Sequence, residues 1–171
     1  MKYNLLNRKI HYWASIAVAI PILVIICSGL FLQTKKQFSW IQPAEIRGVG
    51  KTPEISMDQI LEMSKGVSEA EIRTWEDVNR LDVRPSKGMV KVRAENNWEI
   101  QIDLKTGEVL QTAYRRSDII ESIHDGSFFH DQVKLWIFLP SGIVLLVLWG
   151  TGIYMFVLPY WVRRKRKAAK L

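Results

Sequence analysis

The side chains best suited to chemistry in this chain are its three histidines, His11, His124 and His130. A neutral imidazole nitrogen is a good ligand for a transition metal. His124 and His130 also have carboxylates beside them, Asp125 and Asp131. Two imidazoles with two carboxylates make a plausible transition-metal set at an outer surface, although their spacing matches no established signature. Other chemistry is poorly served. Cys27 is the single cysteine, so no disulfide forms within the chain, and it lies in an apolar run where it reads as a small packing residue. No serine sits in a nucleophile motif, no glycine-rich phosphate loop is present, and Glu76 with Asp77 reads as a solvated pair on a loop. The residue types favour a non-catalytic or electron-transfer subunit over an autonomous enzyme.

The elements that must carry these residues follow from two long apolar runs. Residues 10–32 and 135–162 contain no Asp, Glu, Lys or Arg. About 20 apolar residues in a helix cross the hydrocarbon core of a bilayer, and the backbone there must satisfy its own hydrogen bonds. Each run is therefore expected as a transmembrane helix. Aromatic residues stand near the ends of both, where the headgroups lie: Tyr12, Trp13 and Phe31, then Trp136, Tyr160 and Trp161. Small residues on both, including Ser15, Ala19, Ser28, Gly29, Gly142, Gly150 and Gly152, are expected to pack the helices together or pack a dimer. Pro140 is expected in the first turn of the second membrane helix, or as its kink. No Asp, Glu, Lys or Arg lies within either run, which argues against an ion path or transporter site.

Charge supplies orientation. The ends outside the two runs carry Lys2, Arg8, Lys9, Arg163, Arg164, Lys165, Arg166, Lys167 and Lys170, and no acid. All 17 acids lie between the runs, together with the other fifteen Lys and Arg. Basic flanks stay in the cytoplasm, so both termini are expected inside and the central segment outside. Beside a membrane exit, the basic tail reads as a topological determinant with attraction for anionic lipid, and no nucleic-acid partner is expected.

The central segment, 33–134, is long enough for one small domain. Residues 33–51 read as a loop leaving the membrane, with Phe38, Trp40 and Ile41 near the headgroups. Ser56 and Gln59 have capping-box spacing, and Ile60, Leu61, Met63 and Val67 form a helical apolar stripe that Gly66 ends. From Arg80 the period changes to two. Leu81 and Val83, then Val90, Val92 and Ala94, then Trp98, Ile100, Ile102 and Leu104 alternate with polar residues. Turns fall at Pro85–Gly88, Asn96–Asn97 and Lys105–Gly107, and Val109 to Ala113 makes a last strand. This pattern predicts an antiparallel meander, buried on one face under the helix and wet on the other.

Several of these segments resemble known motifs. Trp98 through Val109, a strand followed by Asp103-Leu104-Lys105-Thr106-Gly107-Glu108-Val109, resembles the second half of a PepSY domain. Arg8-Lys9-Ile10-His11-Tyr12-Trp13 resembles the R-x-x-H-x-W entry of the PepSY-associated transmembrane family. Ile123-His124-Asp125-Gly126 resembles that family's L-H-x-G segment, and Thr151-Gly152 its T-G within a helix. Together they cover nearly the whole chain. Larger relatives have more spans and include inner-membrane proteins that reduce siderophore iron with haem b.

The resemblance implies a bacterial inner-membrane protein of class α+β. Its parts are a cytoplasmic tail (1–9), transmembrane helix 1 (10–32), a periplasmic PepSY-like domain (33–134), transmembrane helix 2 (135–162) and a basic cytoplasmic tail (163–171). It also implies haem b, with His11, His124 and His130 as candidate cofactor-binding residues and His124, His130, Asp125 and Asp131 as the candidate metal set. His130 stands where relatives often have glycine. His11 falls at the inner end of span 1, and His124 and His130 just outside the outer end of span 2. A hydrocarbon core of about 30 Å separates those levels, so one chain cannot place His11 and His124 on one haem. A homodimer or a partner redox subunit is expected to complete the site, in metal reduction or respiratory electron flow. Two readings stay open for each histidine: His11 as a headgroup-level side chain or a haem ligand, His124 as a cap or domain contact or a haem ligand. For the chain as a whole, the alternative is a non-catalytic periplasmic binding or regulatory module.

Overall fold

The computed structural model describes residues 2–168. Residues 169–171, with Lys170 of the basic tail, lie outside the described residues, as do the side chains of Lys2, Arg163, Lys165, Arg166 and Lys167. In chain order the elements are α1 (Lys2–Ala17), α2 (Ala19–Gln33), α3 (Met57–Lys65), β1 (Val78–Arg84), β2 (Met89–Ala94), β3 (Trp98–Asp103), β4 (Val109–Tyr114), α4 (Arg116–Asp125), α5 (Asp131–Val133) and α6 (Leu139–Ala168). They form two compact units. One comprises residues 1–30 and 121–171, the other residues 31–120.

In the first unit, the second apolar run forms a continuous helical stretch, Asp131–Val162, long and apolar enough to cross a membrane. It contains a π-helical turn, Lys134–Phe138, immediately before α6. Pro140 explains the turn. Its ring has no N–H for the carbonyl four residues back and clashes with it, so the ladder widens, with the Leu139 N–H donating to Lys134 O. The expectation for Pro140 at the start of this helix holds. The first run departs from a single straight helix. It is broken at residue 18, and the segments Leu5–Ala17 and Ala19–Gln33 are bent by 66°. Pro21 stands four residues after Ala17, where it leaves the Ala17 carbonyl without its helical donor. Of the small residues expected to pack the helices, Gly142 and Gly150 have no neighbour within 4 Å of a built Cβ, whereas Gly29 and Gly152 do.

The second unit is an antiparallel meander in the order β1-β2-β3-β4. Register follows the apolar alternation: Leu81 faces Val92, Val92 faces Ile100, and Ile100 faces Thr112. One sheet face joins α3 in a core of Ile60, Ala70, Ile72, Val90, Val92, Ala94, Ile100, Ile102 and Leu104. Each such fully buried aliphatic side chain stabilises by about 1.5–3 kcal/mol. The α3 cap is a complete capping box: Gln59 N–H donates to Ser56 Oγ, and Ser56 N–H donates to Gln59 Oε1. The stripe is narrower than expected, because Met63 is exposed.

The other sheet face corrects an expectation. It is not wet: Lys91, Glu99, Gln101 and Asp103 are fully buried, and every residue of β2 is buried. The segment 41–50 crosses this face, so the expected membrane-exit loop is in part a second cover. Ile41 is buried and its carbonyl accepts the Ser117 N–H, while Phe38 and Trp40 remain exposed. Polar alternation marks which face a residue occupies, but whether that face meets water depends on what the rest of the chain lays over it.

Candidate histidine site

His11 lies on α1 and reaches α6. Its Nδ1 is 3.1 Å from Thr151 Oγ1, and Thr151 Oγ1 is 2.9 Å from the carbonyl of Val147. A threonine hydroxyl has one hydrogen, and a carbonyl can only accept. With Thr151 donating along its own helix, it accepts from His11 Nδ1–H. That assignment places the free lone pair of a neutral His11 on Nε2.

His124 repeats the arrangement from α4 to α2. Its Nδ1 is 3.0 Å from Ser28 Oγ and 3.1 Å from the carbonyl of Ile25. Ser28 Oγ donates to the carbonyl of Val24 at 2.5 Å. Since the Ile25 carbonyl only accepts, His124 Nδ1 carries the proton, and the Nε2 lone pair is again free. A glycine follows the hydroxyl residue in both places. A Cβ on Gly29 would lie 3.3 Å from His124 Cε1, and one on Gly152 would lie 3.9 Å from His11 Cε1. In each pair the hydroxyl contacts the ring; at Gly29 the missing Cβ also relieves a tight approach, whereas at Gly152 a Cβ would make only ordinary contact. His11 and His124 thus make helix-to-helix contacts, and His124 does so with α2 rather than as a cap on the segment from Ser117.

His130 is used differently. Its Nδ1 accepts the Gln132 N–H at 3.1 Å, which caps α5 and leaves the proton of a neutral ring on Nε2. Unlike His11 and His124, His130 contacts no other helix through its ring among the described residues. The expected four-residue metal set is also not brought together. His124 is directed at α2, and Asp125 accepts from Ser127 N–H, Ser127 Oγ and, at 2.5 Å, Lys134 Nζ. Among the described residues, no three His, Cys, Asp or Glu side chains approach one another closely enough to hold a metal ion. Partial burial pushes the Asp125 carboxyl up, but the hydrogen bonds from Lys134 and Ser127 outweigh it and hold the pKa at about 2.

An open groove of about 790 Å³ runs beside His11. Leu5, Ile16, Ala19 and Met155 make it mostly apolar, while Arg8 and Lys9 bring two cations to it. Helical path length separates the two histidines. Ser28, which His124 contacts, lies seventeen residues after His11, about 20 Å along α1 and α2 even after the bend. Metal–imidazole bonds are about 2 Å, so His11 and His124 of one chain cannot share one metal. The pairings of His11 with Thr151 and His124 with Ser28 were missed in the sequence, although the shared Ser-Gly and Thr-Gly dipeptides were a visible signal.

The model of the family described as PepSY-associated TM region matches residues 8–171. No curated protein and no solved structure matches the chain. The match spans both histidine contacts, both apolar runs and the sheet between them, and the chain belongs to the PepSY-associated transmembrane-region family of membrane proteins.

Proposed function

We propose that the protein is a bacterial inner-membrane redox component that binds haem b through Nε2 of His11 or His124, with the second axial ligand supplied by another copy or a partner subunit. The observation that carries this reading is the shared setting of the two histidines. Each Nδ1 lies within hydrogen-bond distance of a hydroxyl on a neighbouring helix, and with Nδ1–H donating there Nε2 is left as the ligating nitrogen. Metal-ligating histidines are oriented in this way, with the second nitrogen held by an outer partner. The group also fits the surroundings. The groove beside His11 offers apolar walls, and Arg8 and Lys9 suit the propionates of a porphyrin. When bound, haem b supplies one-electron transfer. The role is in siderophore-iron or other metal reduction, or in respiratory electron flow, with the sheet domain in the periplasm and both termini in the cytoplasm.

The test is a visible spectrum of detergent-purified protein from haem-replete cells, oxidised and reduced. A reduced b-type α-band that is lost in His11→Ala or His124→Ala, but retained in His130→Ala, supports the reading. A colourless protein overturns it and leaves the membrane-anchored binding module as the function.

A further inference from the structure

The polar face of the sheet has a composition that its fold does not require. Lys91 and Glu99 have no exposed side-chain surface, and Arg93 and Arg115 are nearly buried beside them. Lys91 Nζ lies 3.1 Å from Glu99 and 3.2 Å from Glu45, yet it and Arg93 Nε lack an aligned hydrogen-bond partner among the described residues. Burying such a network costs more than an apolar replacement of the same volume. What covers it is equally unusual. Ala44, Ile46, Arg47 and Val49 of the covering strap are exposed, Val49 at 82%. From residue 44 onward the strap is held by its backbone and one carboxylate, its buried apolar anchors, Ile41 and Pro43, lying at its start. Gln101 reads the backbone on both sides, donating to Ala44 O and accepting from Ile46 N–H, each at 2.9 Å. Asp103 accepts the Val49 N–H, and Gly48 N–H donates to Lys87 O. Glu45 docks among Arg84, Lys87 and Lys91.

We infer that this face is a docking site for an extended, carboxylate-bearing peptide of a partner protein, and that residues 42–50 occupy it as an internal stand-in. The contacts suit a peptide because they read backbone N–H and C=O groups without regard to side chain, plus one carboxylate. A simple anion would leave the backbone-reading groups of Gln101 and Asp103 unmatched. A cavity of about 280 Å³ adjoins Glu45, bordered by Lys36, Arg84, Lys87 and Gln42. Gln42 Oε1, on the strap itself, is buried without a hydrogen-bond partner among the described residues, so the stand-in does not satisfy all of its own polar groups on this face. Segments with few buried apolar contacts open most readily, which makes the strap the displaceable layer. This inference does not depend on the haem reading.

The test uses the full chain in detergent and a labelled peptide with the sequence of residues 43–50. The backbone amides of Ile46, Gly48 and Val49 are expected to exchange with deuterium at least about 100-fold faster than those of β2 and β3. Glu45→Ala is expected to bind the peptide at least about tenfold more tightly than the parent chain, and a peptide with Gln in place of its Glu is expected to lose that binding. Strap amides as slow as those of β3 overturn the inference. So does a folded Glu45→Ala chain that binds no peptide, or binds both peptides alike. A Glu45→Ala chain that fails to fold overturns it as well, because a displaceable strap cannot be what holds the domain together.

Discussion

An imidazole offers a lone pair on one nitrogen only when its proton is kept on the other. Thr151 and Ser28 perform that task when each hydroxyl spends its hydrogen on its own helix and accepts from the ring. Thr151→Val and Ser28→Ala are therefore expected to weaken haem retention by about 10- to 100-fold, the usual effect of removing a ligand's outer partner. The measurement is the reduced α-band during titration with haem, and Thr151→Ser should restore it. Asp125 gives a pH-dependent prediction. Its folded pKa of about 2 lies below the ordinary 3.8, so its pairing with Lys134 stabilises fully above the ordinary value. That contribution is lost as pH falls through about 4 toward 2. Melting curves in detergent between pH 6 and 2 should show the loss, and Asp125→Asn should flatten that part of the profile. At this scale the sequence displayed the histidines but not their roles. His130 and His124 look alike in the sequence, and only the structure separates them: one accepts from Gln132 in a local cap, the other reaches α2.

Among the elements, proline decides the course of the first span. Pro21→Ala restores the donor for Ala17 and removes a ring clash, an interior cost of about 3 kcal/mol. The 66° bend is then expected to straighten. Spin labels at Cys27 and a cysteine replacing Tyr12, both exposed, should move apart by about 3 Å, from the helical rise on either side of the break. An unchanged distance would mean that packing against α6, not Pro21, imposes the bend. In the sheet, Glu99 is the shared partner of Lys91, Arg93 and Arg115. Glu99→Ala leaves buried cations uncompensated and is expected to cost about 3–5 kcal/mol, read from the denaturant midpoint of the domain. Strand boundaries, turns and the α3 cap were legible because they are local: a period of two, turn residues, and a serine three places before a glutamine. The covered polar face was not, since the strap belongs to a stretch with no periodicity.

For the whole molecule, confinement of every acid between two apolar runs predicts both termini in the cytoplasm. A phosphatase fused after Leu171 should be inactive in cells, whereas one inserted near Asn96 should be active; the reverse result would invert the orientation. The apolar runs, the charge asymmetry and the strand pairing were determined by the sequence alone, because each is a count or a period over neighbouring residues. Tertiary structure alone decided which groups each imidazole meets. It did so through contacts between residues 140 and 96 positions apart, His11 with Thr151 and His124 with Ser28. It also decided that Lys91 and Glu99 are buried, because segment 41–50 lies across them. A hydrogen bond fixes a tautomer, and a covering strand removes water, only when distant parts of the chain have been placed together; no local pattern encodes that placement.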